Sequence, residues 1–77
     1  MKNYYRVKDL YLASFLYASQ KELVEVKREN RICWFIFADH ASCEALATQY
    51  WAYKAVSDVK QYVDAIRTLK DLIYAQG

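Results

Sequence analysis

Proline is missing from the 77-residue chain, and glycine occurs once, at the C-terminal residue. Those absences exclude glycine-rich phosphate loops, low-complexity linkers and tight glycine turns as features on which a function is built. Cysteine is scarce as well. Cys33 lies in an apolar stretch and Cys43 in a predicted helix, and neither spacing nor context fits a secreted disulfide framework, so both are expected to be reduced core residues. No apolar run is long enough to span a bilayer, Leu10 to Ala18 being short and interrupted, and Met1 to Asp9 is too polar and charged for a secretory signal. A cytoplasmic protein is the expectation. Neither charge sign dominates: 11 Lys and Arg against 9 Asp and Glu give +2, far from the basic footprint that itself argues for a nucleic-acid partner.

What the chain has is aromatics: eight Tyr, three Phe and two Trp. A chain of this length makes one domain, residues 1–77, with a modest core and a small stability margin. Large rings answer that shortage, since a fully covered side chain of this size contributes ~1.5–3 kcal/mol. The stretch Arg31-Ile32-Cys33-Trp34-Phe35-Ile36-Phe37 reads as a central buried strand with Cys33, Phe35 and Phe37 on one face and Ile32, Trp34 and Ile36 on the other. Both faces are apolar, so either helices cover both or one is kept for a partner.

The remaining segments are predicted around that strand. Tyr4 to Lys8 alternates as a short edge strand, Tyr5 and Val7 against Tyr4, Arg6 and Lys8. Asp9 is placed to cap a helix from Leu10 to about Ala18, with Leu12, Phe15, Leu16 and Ser19 on its core face and Tyr11 and Tyr17 at the rim. Lys21 to Lys27 alternates as a second strand, Leu23, Glu25 and Lys27 opposing Glu22, Val24 and Val26, and Asn30 is the predicted hinge of a hairpin into the central strand. Asp39 caps a helix from about His40 to Tyr53, its stripe Cys43, Leu46, Ala47, Tyr50 and the Lys54 stem. Ser57 caps a last helix, about Asp58 to Ala75, with Val59, Tyr62, Val63, Ile66, Leu69 and Ile73 as its apolar stripe and Lys60–Asp64 and Arg67–Asp71 as pairs on the solvated face. The order β-α-β-β-α-α gives an α+β domain: a small antiparallel sheet of two or three strands packed by three helices.

Several of these residues together carry a resemblance. Val7-Lys8-Asp9 with Leu12-Ala13, Arg31 with Trp34-Phe35-Ile36-Phe37, Tyr50, Ala65-Ile66-Arg67-Thr68-Leu69-Lys70 and Leu72-Ile73-Tyr74 resemble a small bacterial and phage domain family of unknown function. The resemblance implies a free-standing cytoplasmic domain associated with mobile elements. It implies no activity and carries over no functional residue.

Catalytic and metal-binding combinations are weak. His40 and Cys43 fall one helical turn apart, but a tetrahedral site wants four ligands, Asp39 is better used as a cap, and no orienting group or oxyanion device accompanies a Cys43–His40 nucleophile pair. Glu22, Glu25 and Glu29 form no buried carboxylate pair. No enzyme, cofactor, metal or small-molecule substrate is expected. Two binding readings remain. A protein-binding or self-associating module draws on the surplus of aromatics, its candidate residues Trp34, Ile36, Trp51, Tyr53, Tyr11 and Tyr17. A nucleic-acid-binding module is the alternative, using the basic hairpin tip Lys27, Arg28 and Arg31 with Arg6 and Lys8 from the neighbouring strand. The first is favoured: a non-enzymatic interaction protein of a phage or mobile element, its partner a component of nucleic-acid or host-defence machinery or a second copy of itself, with inhibition as one mode of action.

Overall fold

Where β-branched and aromatic residues run together, the chain forms the middle strand of a sheet. The computed structural model describes residues 3–76 and contains β1 (Tyr4–Val7), α1 (Leu10–Ala18), β2 (Leu23–Glu29), β3 (Ile32–Ala38), α2 (His40–Trp51) and α3 (Val59–Ala75). Residues 1, 2 and 77 of the expected domain lie outside the described residues. The sheet is antiparallel throughout, in the order β1-β3-β2, so the predicted central strand is central. The fold is thus the expected small α+β arrangement with three strands and three helices.

Two aspartates start the first two helices as expected. Asp9 accepts from the amides of Tyr11 at 2.8 Å and Leu12 at 3.0 Å, and Asp39 accepts from Ser42 at 3.3 Å. Each satisfies donors that the first helical turn leaves free, a contribution of about 1 kcal/mol. At the third helix the cap is Asp58, which accepts from the Gln61 amide at 3.0 Å, and not the predicted Ser57. The carboxylate is the better acceptor and carries the charge that the helix dipole favours.

Three further expectations are corrected. In β2 the strict alternation breaks: Leu23 pairs with Phe37, Glu25 with Ile36 and Val26 with Phe35, with an irregularity between Leu23 and Glu25. Val24 is the extra residue of a bulge, so Leu23 and Val26 share the core face and Val24 is exposed. The hairpin turn is Asn30-Arg31, both at positive φ (49° and 69°), as a type I′ turn requires. Arg31 therefore belongs to the turn and not to the strand. On α3 the buried face is Ala65 and Leu69, flanked by half-buried Tyr62, Leu72 and Ile73, while Val59 and Val63 face outward. Small Ala65 lets α3 approach α1 closely, which rotates the predicted stripe. Of the two expected ion pairs on this helix, Lys60–Asp64 is formed at 3.6 Å, and Arg67–Asp71 is not among those of the described residues.

The core is built about α1. Leu12, Ala13, Ser14, Phe15 and Leu16 are all buried, so the helix is covered on more than its predicted face. α1 contacts β1 of the sheet, α2 and, most extensively, α3. Ser14 tolerates burial by donating to the Leu10 carbonyl at 2.7 Å. Val7, Phe35, Phe37, Cys43, Ala47 and Leu69 complete the cluster. Burial along β3 falls away toward the hairpin tip, leaving Cys33 half-buried, because the helices cover the Phe35–Phe37 end.

Candidate interaction surface

A helix with no glycine near its end must still dispose of its last carbonyls. At the end of α2 the Lys54 amide donates to the Gln49 carbonyl at 2.8 Å and the Tyr53 amide to the Tyr50 carbonyl at 3.2 Å, the paired bonds of a Schellman motif. This motif holds its central residue in the left-handed region, and Tyr53 is there at φ 60°. Helix α1 ends the same way, with Gln20 at φ 68° and bonds from Lys21 to Leu16 and from Gln20 to Tyr17, both 3.1 Å. The predicted α2 thus stops at Trp51, and Tyr53 stands outside it.

The result is an apolar corner where α2 ends and α3 begins. Tyr53 is 98% exposed, Val56 87%, Val59 78% and Trp51 61%. Beside them opens a slot of about 250 Å³ lined by Phe15, Tyr50, Ala55, Ser57 and Tyr62. Phe15 and Tyr50 stack at 6.0 Å between centroids, and Trp51 meets Tyr50 edge-on at 5.1 Å. The Tyr62 hydroxyl donates to the Tyr11 carbonyl at 3.1 Å. Burial, followed by the neighbouring Tyr50 hydroxyl, pushes the Tyr62 phenol up to about 12, so it stays a neutral donor that pins α3 to α1. Tyr11 is about half exposed next to this contact, and Tyr17 lies farther along the α1–α3 seam beside Gln61 and Asp64.

The outer face of the sheet is closed differently. Among the described residues, Trp34 and Ile36 are not part of the core cluster packed by the helices; instead the Arg6 guanidinium sits 4.5 Å over the Trp34 ring. Its position is fixed by Glu29, which accepts from Arg6 at 3.1 Å and pairs with Lys27 at 3.2 Å. Those two cations, Lys27 first, hold the Glu29 carboxyl below its usual range. Ile36, between Arg6 on β1 and Glu25 on β2, is only 9% exposed. The residues predicted for nucleic acid divide in consequence: Arg6 and Lys27 are both paired with the single carboxylate of Glu29, whereas Arg28, Arg31 and Lys8 are exposed and outside the ion pairs of the described residues.

A second cleft, about 380 Å³, lies at the other end of the sheet, with His40, Asp39 and Glu22 in its wall. Asp39 is occupied as a helix cap, and the His40 ring faces Glu44 at 3.4 Å and Tyr5 at 5.3 Å between centroids. The Cys43 thiol is buried, which pushes its pKa up, and it donates to the Ala38 carbonyl at 3.4 Å. Among the described residues no three His, Cys, Asp or Glu side chains converge as metal ligands. No helix of the described residues is long and apolar enough to cross a membrane.

Against known proteins, the model of one family, a domain of unknown function designated DUF5659, matches residues 2–75. The chain belongs to that family. The match runs through every element of the fold, from β1 to the end of α3. No curated protein and no solved structure matches the chain. The DUF5659 assignment supplies no ligand or reaction, so the geometry of the corner carries the functional argument. Sequence reasoning had Trp51 and Tyr53 but missed Val56, Val59 and the Phe15–Tyr50–Tyr62 slot. The signal available for the valines was their position on either side of the Ser57-Asp58 helix start, where solvent-facing polar residues are the norm.

Proposed function

We propose that this DUF5659 domain is a non-enzymatic interaction module that binds a protein partner through the apolar corner formed by Trp51, Tyr53, Val56 and Val59. Tyr53 carries the reading. A non-glycine residue in the left-handed region costs about 1–2 kcal/mol, and a side chain that is 98% exposed returns nothing to the fold. Its presence at a turn beside an aromatic-lined slot fits contact with something outside the chain. The resemblance to phage and bacterial domains makes a component of nucleic-acid or host-defence machinery the class of partner this reading favours.

The test is photo-crosslinking from a benzoylphenylalanine at position 53, with the exposed Lys70 position as control, in cells making the protein. Discrete adducts from position 53 and none from position 70 support the surface; none from either sinks it. The second reading, direct nucleic-acid binding, is favoured by the exposed guanidinium groups of Arg28 and Arg31 at the hairpin tip, which are outside the ion pairs of the described residues. It requires DNA or RNA affinity at low salt that falls steeply as salt rises and is lost in an Arg28→Ala, Arg31→Ala variant. No binding at low salt removes it.

A further inference from the structure

Resting on the protein-binding reading of the corner, we propose that its occupant is a second copy of this chain, docked about a two-fold axis that passes near Val56. An isologous contact needs a patch that is complementary to itself, because each residue pair is formed twice. The corner meets that condition in shape. It holds a protruding ring, Tyr53 at 98% exposure, immediately beside an open slot of about 250 Å³. A cavity of about 150 Å³ accepts a benzene ring, so this slot has room for a phenol. The knob and the slot are joined rigidly, since the Tyr53 amide is bonded to the carbonyl of Tyr50, a slot wall, at 3.2 Å. The Ser57 hydroxyl, another wall, offers a hydrogen-bond partner to an entering phenol.

The corner is also self-complementary in charge. Lys54 and Asp58 stand two residues to either side of Val56, both exposed and both outside the ion pairs of the described residues. When two copies of Lys54-Ala55-Val56-Ser57-Asp58 run antiparallel about Val56, each Lys54 faces the other copy's Asp58, and each Tyr53 faces the other copy's Val59 and slot. A partner of one charge sign would meet only half of this pattern. The area is of the right order. At about 150–250 Å² per covered aromatic, the exposed parts of Trp51 and Tyr53 contribute on the order of 300 Å² toward the roughly 800 Å² per side of a standard interface. Val56 at 87% exposure and Val59 at 78%, with the slot mouth and the charged rim, add to that area.

Sedimentation of the purified chain over a wide concentration range tests this, beside two variants whose folding is checked by circular dichroism. Tyr53→Ala removes the knob and Ser57→Phe fills the slot. The expected result is a reversible dimer for the unaltered chain, weakened about 30-fold or more in each variant, the loss typical of a central aromatic anchor. Mixing the two variants restores part of the dimer, because one intact knob then meets one intact slot, an outcome that misfolding cannot produce. The benzoylphenylalanine protein, irradiated pure, gives an adduct of twice the chain mass. A chain that stays monomeric throughout, or variants that dimerise as well as the unaltered chain, overturns the second-copy inference. Adducts of another mass in cells would then leave the surface reading standing, whereas no adduct at position 53 removes both.

Discussion

Replacing Tyr53 by glycine separates what the fold requires from what the surface is for. The residue sits at φ 60° in the turn that closes α2, a conformation that costs about 1–2 kcal/mol for a residue with a Cβ. Glycine removes that cost but gives back ~0.5–1 kcal/mol through the greater freedom of its unfolded chain. With the phenol 98% exposed, no packing is lost. The net expectation is a gain of about 0.5–1 kcal/mol, which for a domain of this size raises Tm by roughly 2–8 °C. Tyr53→Ala keeps the backbone penalty and discards the same exposed ring, so its stability stays within about 0.5 kcal/mol of the unaltered chain. The assay is thermal and urea unfolding at protein concentrations low enough to keep the chain monomeric, since association would otherwise add to the apparent stability. Both variants are expected to lose association at the corner. A Tyr53→Gly protein less stable than the parent by about 1 kcal/mol or more would refute the reasoning, because the ring would then be holding the fold.

Arg31→Gly applies the same logic at the hairpin turn, away from the apolar corner: Asn-Gly is the preferred pair for this hairpin, and a stabilisation of about 0.5–1 kcal/mol is expected in urea melts. The Glu29 carboxyl, held below its ordinary 4.5 by Lys27 and Arg6, is expected to titrate low by NMR and to return toward that value in Lys27→Gln or in high salt. Its sign follows from linkage: the depressed folded pKa contributes stability that is present above 4.5 and is lost as pH falls through the folded value, so the acid limb of the stability curve flattens in the variant. Deleting Val24 is expected to leave stability within about 1 kcal/mol, because Leu23, Glu25 and Val26 then alternate without a bulge in their present register; a chain that fails to fold by circular dichroism would contradict that register.

Much of the fold was legible because its signals are local. Asp9 and Asp39 announce helix starts through the hydrogen bonds their own side chains make, and the Ile32 to Phe37 run is too rich in aromatic and β-branched residues to be anything but a strand. What escaped depends on distant neighbours. Val24 looks like a regular member of an alternating strand, and only the pairing with β3 shows that it is extra. Val59 and Val63 satisfy a helical stripe as well as Ala65 and Leu69 do, and the choice between the two faces is made by α1, roughly 50 residues earlier in the chain. Trp34 posed the question of a second exposed face; Arg6 and Glu29, from two different strands, answer it by bridging over the ring. Of the candidate site, Trp51 and Tyr53 could be named from composition and position, but their meaning could not, because the slot beside them is assembled from α1, α2, the loop and α3.

The scarcity of glycine links these points. It excludes glycine turns, yet it does not exclude the turns themselves: Gln20, Asn30, Arg31, Asp39 and Tyr53 all take positive φ without a glycine among them. Asn and Asp visit this region with little strain, so Asn30 and Asp39 need no further account. Gln20, Arg31 and Tyr53 do, each at a penalty that matters in a domain whose whole stability is on the order of 5–10 kcal/mol. At Gln20 and Arg31 the side chain is polar and keeps a turn in water. At Tyr53 the side chain is a large ring with no contact to protect it, next to Trp51, Val56 and Val59, which are exposed as well. Strain and exposure thus fall on the same residue, and neither serves the fold. The proposed binding surface would account for both, since a ring held by a Schellman turn would be ordered before contact and would lose little freedom on binding.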